Sequence, residues 1–385
     1  MNAMWSMRST RLTCAAVGLL ACHDPAAPGS GIAVAIAWRV TPSTGTTGGW
    51  PGTPAVDGGR LFVEVGHDVA AFDAATGREL WTRRVRIAPY PPPTTLLTRA
   101  GRLYLSETDS VLAMDQATGR TLWAFHPDSQ AVVTPALDDD ALYTGQRGLP
   151  VVYALGVADG ALHWRTTIGA GYAFAAYVEG LAVSGDTVFV AAHRNLVPNG
   201  YRSSGVLVAL DRRDGRELWR YETTPGADAS PSSRSLFRGA PMLAGNVVSV
   251  LDYGAGTVLG LDRTSHQVVW QGDLGSGDAP IVAVLRDGAI YVGGSAGGVF
   301  ALDAVTGARR WKRDVGGSVL GIGTCATGVL VNEDHVKRLD ASTGVITSSL
   351  DPVGTIYDAP FSSSLVSDGA LAYVVGVDGV YGLRC

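Results

Sequence analysis

The sequence predicts an all-β fold, an eight-bladed β-propeller built of four-stranded antiparallel blades. Three observations predict it: a unit of short apolar runs recurs along the chain, tryptophans recur at a nearly constant interval, and the last unit lacks a strand that the N-terminal region supplies. In the unit Ala279–Trp311, apolar runs alternate with turns such as Arg286-Asp287-Gly288 and Gly294–Gly298. Turns this short join antiparallel strands into a meander. One such sheet is too small to be stable alone, so the unit must recur.

The recurrence is clearest in the segment before each tryptophan. Phe72–Gly77 with Trp81 returns as Met114–Gly119 with Trp123, and again in the later units. The seven tryptophans concerned are spaced 43, 42, 41, 55, 51 and 41 residues apart, and they are Trp38, Trp81, Trp123, Trp164, Trp219, Trp270 and Trp311. A four-stranded repeat of about 40–45 residues is typical of propeller blades. The two longer intervals are interpreted as the same period with insertions.

The number of blades follows from the two ends of the chain. Seven units are complete, and an eighth, from Ala359 to Cys385, has only three strands. The segment from Gly31 to Val40 reads as a strand that carries the unit-ending Trp38. We expect this strand to complete the last blade, because such pairing closes the ring and removes exposed strand edges. The seventh unit has no tryptophan, which predicts the weakest interface between blades at that point.

The repeat "strand, Asp-Gly, Leu-Tyr-Val-Gly, Asp-Gly, Ala-Leu-Asp-Ala-x-Thr-Gly, Trp" resembles that of PQQ-like β-propellers. That group comprises quinoprotein dehydrogenases and non-enzymatic relatives, including BamB-like outer-membrane assembly lipoproteins. The resemblance covers nearly everything from Ile32 to Cys385. It is specific for the fold and weak for function, since function depends on sites that a fold carries. In this group the tryptophans dock flat between adjacent blades, which gives the seven tryptophans above a structural role.

The N-terminal region resembles a bacterial lipoprotein signal. Arg8 and Arg11 precede an apolar run, Leu12–Ala21, that is too short to span a bilayer. The run ends in Leu19-Leu20-Ala21-Cys22, which is similar to a lipobox and implies lipidation of Cys22. The sequence therefore predicts a signal peptide over residues 1–21, a flexible tether over 22–31 and the propeller over 32–385. The alternative is a soluble secretory signal with an incidental cysteine; Met1, Met4 and Met7 are alternative starts.

Composition and charge exclude some partners. Without residues 1–21 the chain has 28 basic and 35 acidic residues, a net charge of −7. No dense Lys/Arg stripe is present, which disfavours nucleic acid, and an anionic membrane surface is an equally poor partner except through the lipid anchor. The chain is expected to be a monomeric ring at the outer membrane, facing the periplasm. His23 after the lipidated cysteine favours the outer membrane by analogy with other lipoproteins.

Two cysteines remain in the ring, Cys325 and Cys385. Export permits a disulfide between them, whereas their expected separation by two strand spacings exceeds the usual reach of one. A bridge and two separate thiols are both left open.

The recurring aspartates do not predict catalysis. Asp followed three or four positions later by Thr and Gly is typical of a turn in which the carboxylate accepts backbone N–H groups. No histidines or cysteines stand at metal-ligand spacing, and phosphate-loop and nucleophile-elbow motifs are absent. The adjacent Cys-Cys pair of quinoprotein dehydrogenases is also missing. We therefore expect no cofactor and no catalytic residues.

Binding is expected on one face of the ring. Connections between second and third strands emerge on the same face as those between blades, and nearly all insertions fall there. These include Arg84–Thr95, Gln146–Pro150, Ala192–Ser204 and Arg220–Arg238. Long loops on a rigid scaffold often carry binding, with aromatic residues and Arg at the centre of an interface. The candidate partner-binding residues are Tyr90, His193, Arg194, Tyr201, Arg202, Arg234, Phe237 and Arg238.

Three functions are compatible with the sequence. The preferred one is a non-catalytic, lipid-anchored scaffold of the cell envelope that binds proteins, with an outer-membrane barrel-assembly complex as the partner that the resemblance implies. The first alternative is a periplasmic quinoprotein-type dehydrogenase that uses PQQ. The second is a surface propeller that binds glycans or small ligands. The variable loops are also compatible with simple solvation.

Overall fold

The computed structural model describes residues 33–44, 52–86, 95–107, 109–127, 133, 135–146, 149–169, 176–197, 202–223, 234–275, 277–325, 328–333, 335–350, 364–376 and 378–384. The predicted signal peptide, Cys22 and the tether lie outside these ranges. Every strand belongs to one of eight four-stranded antiparallel sheets, which confirms the predicted fold. Among the residues described, no helix is long and apolar enough to cross a membrane.

The blades are numbered in chain order. Blade 1 comprises β2 (Ala55–Asp57), β3 (Arg60–Val65), β4 (Asp68–Asp73) and β5 (Glu79–Arg84), and blade 2 comprises β6 (Leu97–Arg99), β7 (Arg102–Ser106), β8 (Val111–Asp115) and β9 (Thr121–Phe125). Blade 3 comprises β10 (Ala136–Leu137), β11 (Ala141–Gly145), β12 (Val151–Gly156) and β13 (Leu162–Thr167). Blade 4 comprises β14 (Ala176–Ser184), β15 (Thr187–Asn195), β16 (Ser203–Asp211) and β17 (Glu217–Glu222).

Blades 5 to 8 continue the same pattern. Blade 5 comprises β18 (Phe237–Ala244), β19 (Val247–Asp252), β20 (Thr257–Asp262) and β21 (Val268–Asp273), and blade 6 comprises β22 (Pro280–Arg286), β23 (Ala289–Gly294), β24 (Gly298–Asp303) and β25 (Arg309–Asp314). Blade 7 comprises β26 (Gly321–Cys325), β27 (Gly328–Asn332), β28 (Val336–Asp340) and β29 (Ile346–Leu350). Blade 8 comprises β30 (Val366–Ser367), β31 (Ala372–Gly376), β32 (Gly379–Arg384) and β1 (Ala35–Val40).

The ring is closed by the N-terminal strand, as the sequence predicts. Strand β1 pairs antiparallel with β32, from Ala35 opposite Arg384 to Val40 opposite Val380. First strands of most successive blades lie against one another, and β30 of blade 8 contacts β2 of blade 1.

Every blade except the seventh contacts the next through a tryptophan of its fourth strand. Trp123 is 9% exposed, and its Nε1 donates to Val157 O of the next blade at 3.2 Å. Its ring lies over Gly160, whose φ is +71°; a Cβ there would lie 2.7 Å from the ring. Glycine at this turn therefore permits both the left-handed backbone and the close approach of the ring. Equivalent rings lie over Gly77, Gly119, Gly215, Gly307 and Gly344.

The contact between blades 4 and 5 departs from this pattern. His266 occupies the glycine position with a φ of +61°. Its imidazole stacks on Trp219, with 4.7 Å between the ring centroids and 19° between the planes. Unlike Trp123, Trp219 is only half-buried. At this interface the tryptophan thus packs on an imidazole instead of on a glycine backbone.

The seventh blade has no tryptophan on its fourth strand. The next blade has no turn between its third and fourth strands, which is the turn on which such a tryptophan packs elsewhere. Blade 8 takes its third and fourth strands from opposite ends of the chain, so no turn joins them. Ser348 occupies the tryptophan's register position, opposite Arg338, and its Oγ accepts a hydrogen bond from Val34 N at 3.0 Å. Arg338, 5% exposed, replaces the alanine or glycine found there in the other blades and donates to Thr347 Oγ1. That this is the weakest interface stays a prediction.

Candidate functional site

The two ends of the blades differ in the length of their connections. In a four-stranded meander, connections between strands two and three and between blades leave at one end, and the other turns leave at the opposite end. The first end is called here the loop-rich face and the second the tight-turn face. The loop-rich face carries the longer connections at 85–96, 196–202 and 223–236.

The connection that was expected at Ala192–Ser204 is shorter than predicted. Strand β15 continues to Asn195 and β16 begins at Ser203, so His193 and Arg194 belong to a strand. The apolar pattern of β15 ends before its backbone pairing does. Hydrogen bonding across the sheet extends the hairpin through polar residues, and that is invisible to a pattern of hydrophobicity.

A cavity of about 320 Å³ lies on the loop-rich face between blades 4 and 5. Three predicted residues line it, His193, Arg234 and Arg238. The remaining lining residues are Tyr177, Glu179, Asn195 and Leu236. This set is called the blade 4/5 cluster.

The interior side of the cluster is built by strands β14 and β15. Tyr177 and His193 are cross-strand partners and stack, with ring centroids 4.9 Å apart and planes inclined by 22°. A bulge between Val178 and Gly180 shifts the strand register at Glu179. Bulges re-aim side chains, and here Glu179 Oε1 lies 3.4 Å from His193 Nδ1, with both side chains largely buried.

The connection into blade 5 places the two arginines. Asp252, 2% exposed, accepts hydrogen bonds from Ser235 Oγ at 2.6 Å and Leu236 N at 2.9 Å. Ser235 N donates to Ser203 O at 3.1 Å, which ties the connection to β16. The guanidinium of the exposed Arg238 lies 4.2 Å from the centre of the Tyr253 ring. The arginines are therefore carried on backbone that a buried carboxylate holds in place.

Other predicted residues lie elsewhere. Arg194 forms an ion pair with Glu222, Nε to Oε1 at 2.6 Å, beside the cluster. Arg202 ends the β15–β16 connection, where its carbonyl accepts from Leu196 N at 2.9 Å. Tyr90 and Tyr201 lie outside the described residues.

For Phe237 the structure corrects the expectation of partner binding. Its side chain is 0% exposed and belongs to the core between blades 4 and 5. A Cβ on Gly205 would lie 2.5 Å from the Phe237 ring, so the ring fills the space that this glycine leaves. Phe237 supports the site from within the core and presents no side chain to a partner.

The sequence missed four members of the cluster, Tyr177, Glu179, Asn195 and Leu236. Their spacing carries no motif, and they meet only because β14, β15 and the connection before β18 converge. The polar residues of the sequence His193-Arg194-Asn195 at the end of an apolar strand were the available signal. The bulge that directs Glu179 leaves no recognisable pattern in the sequence.

Chemically, the cluster offers two guanidinium groups, an amide, a carboxylate and a stacked aromatic pair around one cavity. Arginine provides charge-assisted and bidentate hydrogen bonds to carboxylates, and aromatic and arginine side chains are enriched at interface centres. The arrangement is suited to a polar or acidic surface of a partner.

The recurring aspartates are engaged in their own turns. Thr76 donates to Asp73 Oδ1 from its hydroxyl at 2.6 Å and from its backbone N at 2.9 Å, and these bonds lower the pKa of Asp73. Asp115 and Asp340 accept equivalent bonds, which lower their pKa as well. Each carboxylate thus serves as the acceptor that closes its hairpin.

In the described part of the chain, no three His, Cys, Asp or Glu side chains are grouped so that they could hold a metal ion. A second cavity of about 370 Å³ lies on the tight-turn face between blades 6 and 7 and includes Arg286, Asp287 and Asp340. Asp340 is already engaged in its turn. Cys325 is buried at the end of β26, and Cys385 lies outside the described residues, so a bridge and two separate thiols are both still open.

A family model described as outer membrane protein assembly factor BamB matches residues 33–170, 107–255 and 254–376. The chain belongs to this family. The BamB of Yersinia pestis is 28% identical over 178 residues, which are 43% of this chain and 39% of that protein. The matched segment thus spans well under half the length of this curated relative.

Solved structures share the fold. The crystal structure of BamB from Moraxella catarrhalis has a TM-score of 0.67 at 15% identity and covers 91% of this chain and 99% of its own. A quinohemoprotein alcohol dehydrogenase from Pseudomonas putida HK5 has a TM-score of 0.66 at 14% identity and covers 91% of this chain and 76% of its own. At such identities the likeness concerns the fold alone.

Proposed function

We propose that this BamB-family propeller is a non-catalytic scaffold, anchored by a lipid on Cys22 to the outer membrane, that binds a component of an outer-membrane barrel-assembly complex. The observation that carries the proposal is the blade 4/5 cluster. It concentrates exposed arginines and a stacked aromatic pair at one point of the loop-rich face, in a chain whose family is described as an assembly factor.

The arrangement of the cluster supports binding more than catalysis. Asp252 fixes the backbone of Ser235 and Leu236 between Arg234 and Arg238, so little backbone entropy is lost there when a partner binds. Glu179 and His193 lie at the largely buried side, and the guanidinium groups lie at the exposed side. An acidic surface segment of a partner would complement the exposed side.

The test uses the full-length chain, purified from envelopes with its bound proteins. The double variant Arg234→Ala/Arg238→Ala should lose at least tenfold of a co-purifying barrel-assembly protein, with unchanged thermal stability. The matched control is Arg213→Ala on the tight-turn face, where Arg213 pairs with Asp186 at 3.1 Å and its side chain is 73% exposed. Equal recovery with the wild-type chain and the double variant would refute the site.

Lipid anchoring is tested separately. Cys22→Ser should move the protein from the membrane fraction to the soluble fraction without changing its fold. Retention of the variant in the membrane fraction would refute the anchor and leave the protein-binding site unaffected.

The second candidate is a PQQ-dependent dehydrogenase, favoured by the fold shared with the Pseudomonas putida enzyme. A ligand at a hundred times its dissociation constant stabilises a protein by about 2.7 kcal/mol. Addition of PQQ with calcium should leave thermal unfolding unchanged if the scaffold proposal holds. A clear increase in melting temperature would favour the enzyme.

A further inference from the structure

Glu64 is a buried acid at a position where no other blade has one. It stands on β3, two residues after Phe62. Phe62 is the register partner of Ala71 on β4, which in turn is the register partner of Trp81 on β5. Its side chain is 5% exposed. The corresponding residues of the other second strands are Ser106, Gly145, Ala191, Leu251, Gly293, Asn332 and Val375. The carboxyl group is therefore no requirement of the blade.

The surroundings of Glu64 disfavour its charged form. Its cross-strand neighbour Val69 belongs to the apolar core between blades 1 and 2, which also contains Leu96 and Leu105. Oε2 accepts one hydrogen bond, from Gly52 N at 3.2 Å, and Oε1 has no partner among the described residues. Burial raises the pKa of Glu64 to about 7, although the Gly52 N–H partly opposes the change.

Charged groups of the adjoining elements are engaged with one another. Arg84 pairs with Asp68 at 3.7 Å on the outer strands of blade 1. Arg86 reaches across to blade 2, 4.0 Å from Glu107 and 3.5 Å from Asp109. Histidine is the other side-chain type that ordinarily changes charge near neutral pH. At this junction that residue is His67, exposed in the β3–β4 turn.

The segment that bonds to Glu64 joins two blades. Gly52 opens residues 52–54, which lead into β2. Within them Thr53 forms a parallel bridge with Thr95, and its carbonyl accepts from Leu96 N at 3.2 Å. If this segment moves away, water reaches the carboxylate, and blade 1 loses its backbone bonds to blade 2 on the loop-rich face.

We propose that Glu64 is a proton-controlled latch: in its neutral form it stays buried with residues 52–54 in place, and its ionisation favours release of this segment, because burial of the charge costs more than the Gly52 N–H bond returns. The closed form keeps the proton, because the neutral carboxyl is the form that tolerates burial. The open form exposes the carboxylate to water. Rising pH therefore shifts the equilibrium toward the open form and changes the loop-rich face. The proposal does not depend on which partner that face binds.

Linkage gives the size of the effect. With a pKa of about 7 when closed and the ordinary glutamate pKa of 4.5 when open, the open population rises by up to roughly 70-fold between pH 5 and pH 8. A buried acid with a raised pKa is most compatible with the closed form at low pH. The open population accordingly grows between about pH 4.5 and pH 7, and it changes little further at higher pH.

Hydrogen exchange in the full chain tests the latch. Exchange of the Leu96 amide, which donates to Thr53 O, is compared between the wild-type chain and Glu64→Gln at each pH, which cancels the intrinsic pH dependence of exchange. The wild-type rate should rise relative to the variant by tens of fold from pH 5 to pH 8. His67→Gln is the matched control and should follow the wild-type chain. A rate ratio that stays constant across this range would overturn the proposal.

A second measurement covers the outcome in which Glu64→Gln does not fold. Carbon-13 NMR of side-chain carboxyl groups in the wild-type chain follows the titration of Glu64 directly. A midpoint near 7, accompanied by loss of Leu96 amide protection over the same range, supports the latch. A midpoint near 4.5, or protection that does not follow the titration, overturns it.

Discussion

Truncation of two tryptophans at different blade interfaces tests how the blades of the propeller are held together. Trp123→Ala removes a ring that is 9% exposed, lies over Gly160 and donates to Val157 O. Trp219→Ala removes a half-buried ring that lies against His266. The two substitutions are chemically identical, so a difference in their effects measures the docking of the ring on glycine.

The expected magnitudes follow from burial and hydrogen bonding. Truncation of a buried aromatic side chain costs about 3–5 kcal/mol, including about 1 kcal/mol for a lost hydrogen bond. We expect about 4 kcal/mol for Trp123→Ala. For Trp219→Ala we expect about 2 kcal/mol, because its ring remains partly in water and aromatic stacking contributes only about 0.5–1.5 kcal/mol beyond burial.

The assay is urea unfolding followed by far-ultraviolet circular dichroism, which does not depend on tryptophan fluorescence. Leu122→Ala is the control next to Trp123; Leu122 is 38% exposed, and its truncation should cost less than about 1 kcal/mol. A cost below about 1 kcal/mol for Trp123→Ala would refute the reasoning. So would a Trp219→Ala effect that equals or exceeds that of Trp123→Ala.

Three further predictions concern single positions. Gly160→Ala should cost about 2 kcal/mol more than Gly185→Ala in urea unfolding. Both glycines have positive φ, but a Cβ at Gly160 would meet the Trp123 ring, whereas a Cβ at Gly185 meets nothing within 4 Å. Equal costs would mean that the Trp123 ring simply moves aside. Glu64→Gln should leave the free energy of unfolding unchanged near pH 4.5 and raise it by up to about 3 kcal/mol above pH 7. The reason is that the raised pKa of Glu64 makes the wild-type fold lose stability as pH rises. A difference between variant and wild type that does not depend on pH would contradict this. Ser348→Ala should cost about 1 kcal/mol by removing the acceptor of a backbone N–H, and a neutral result would show that water replaces it.

The blade architecture was predictable because each blade repeats the same local requirements. Asp73, Thr76 and Gly77 close a turn through bonds within a few residues, so the pattern is visible in the sequence. The interval between tryptophans reports the length of a blade. Closure by β1 was predictable for a related reason, since a final unit with three strands requires a fourth from elsewhere.

The candidate site was only partly predictable. His193, Arg234 and Arg238 were expected on one face, and the structure brings them to one cavity. Phe237 was misassigned because an aromatic residue in a long connection looks the same in sequence whether it faces solvent or the core. Its burial is determined by Gly205 on a different blade, which leaves room for the ring.

The sequence by itself determined the repeat, the number of blades, the closing strand and the face that carries the longer connections. These depend on bonds between residues that are near in sequence, or on the count of strands. Only the tertiary structure decided that Glu179 lies beside His193, that His266 stacks on Trp219, and that Glu64 is buried with a raised pKa. Those properties arise where different strands and blades meet, and there burial and spacing depend on residues far apart in the chain.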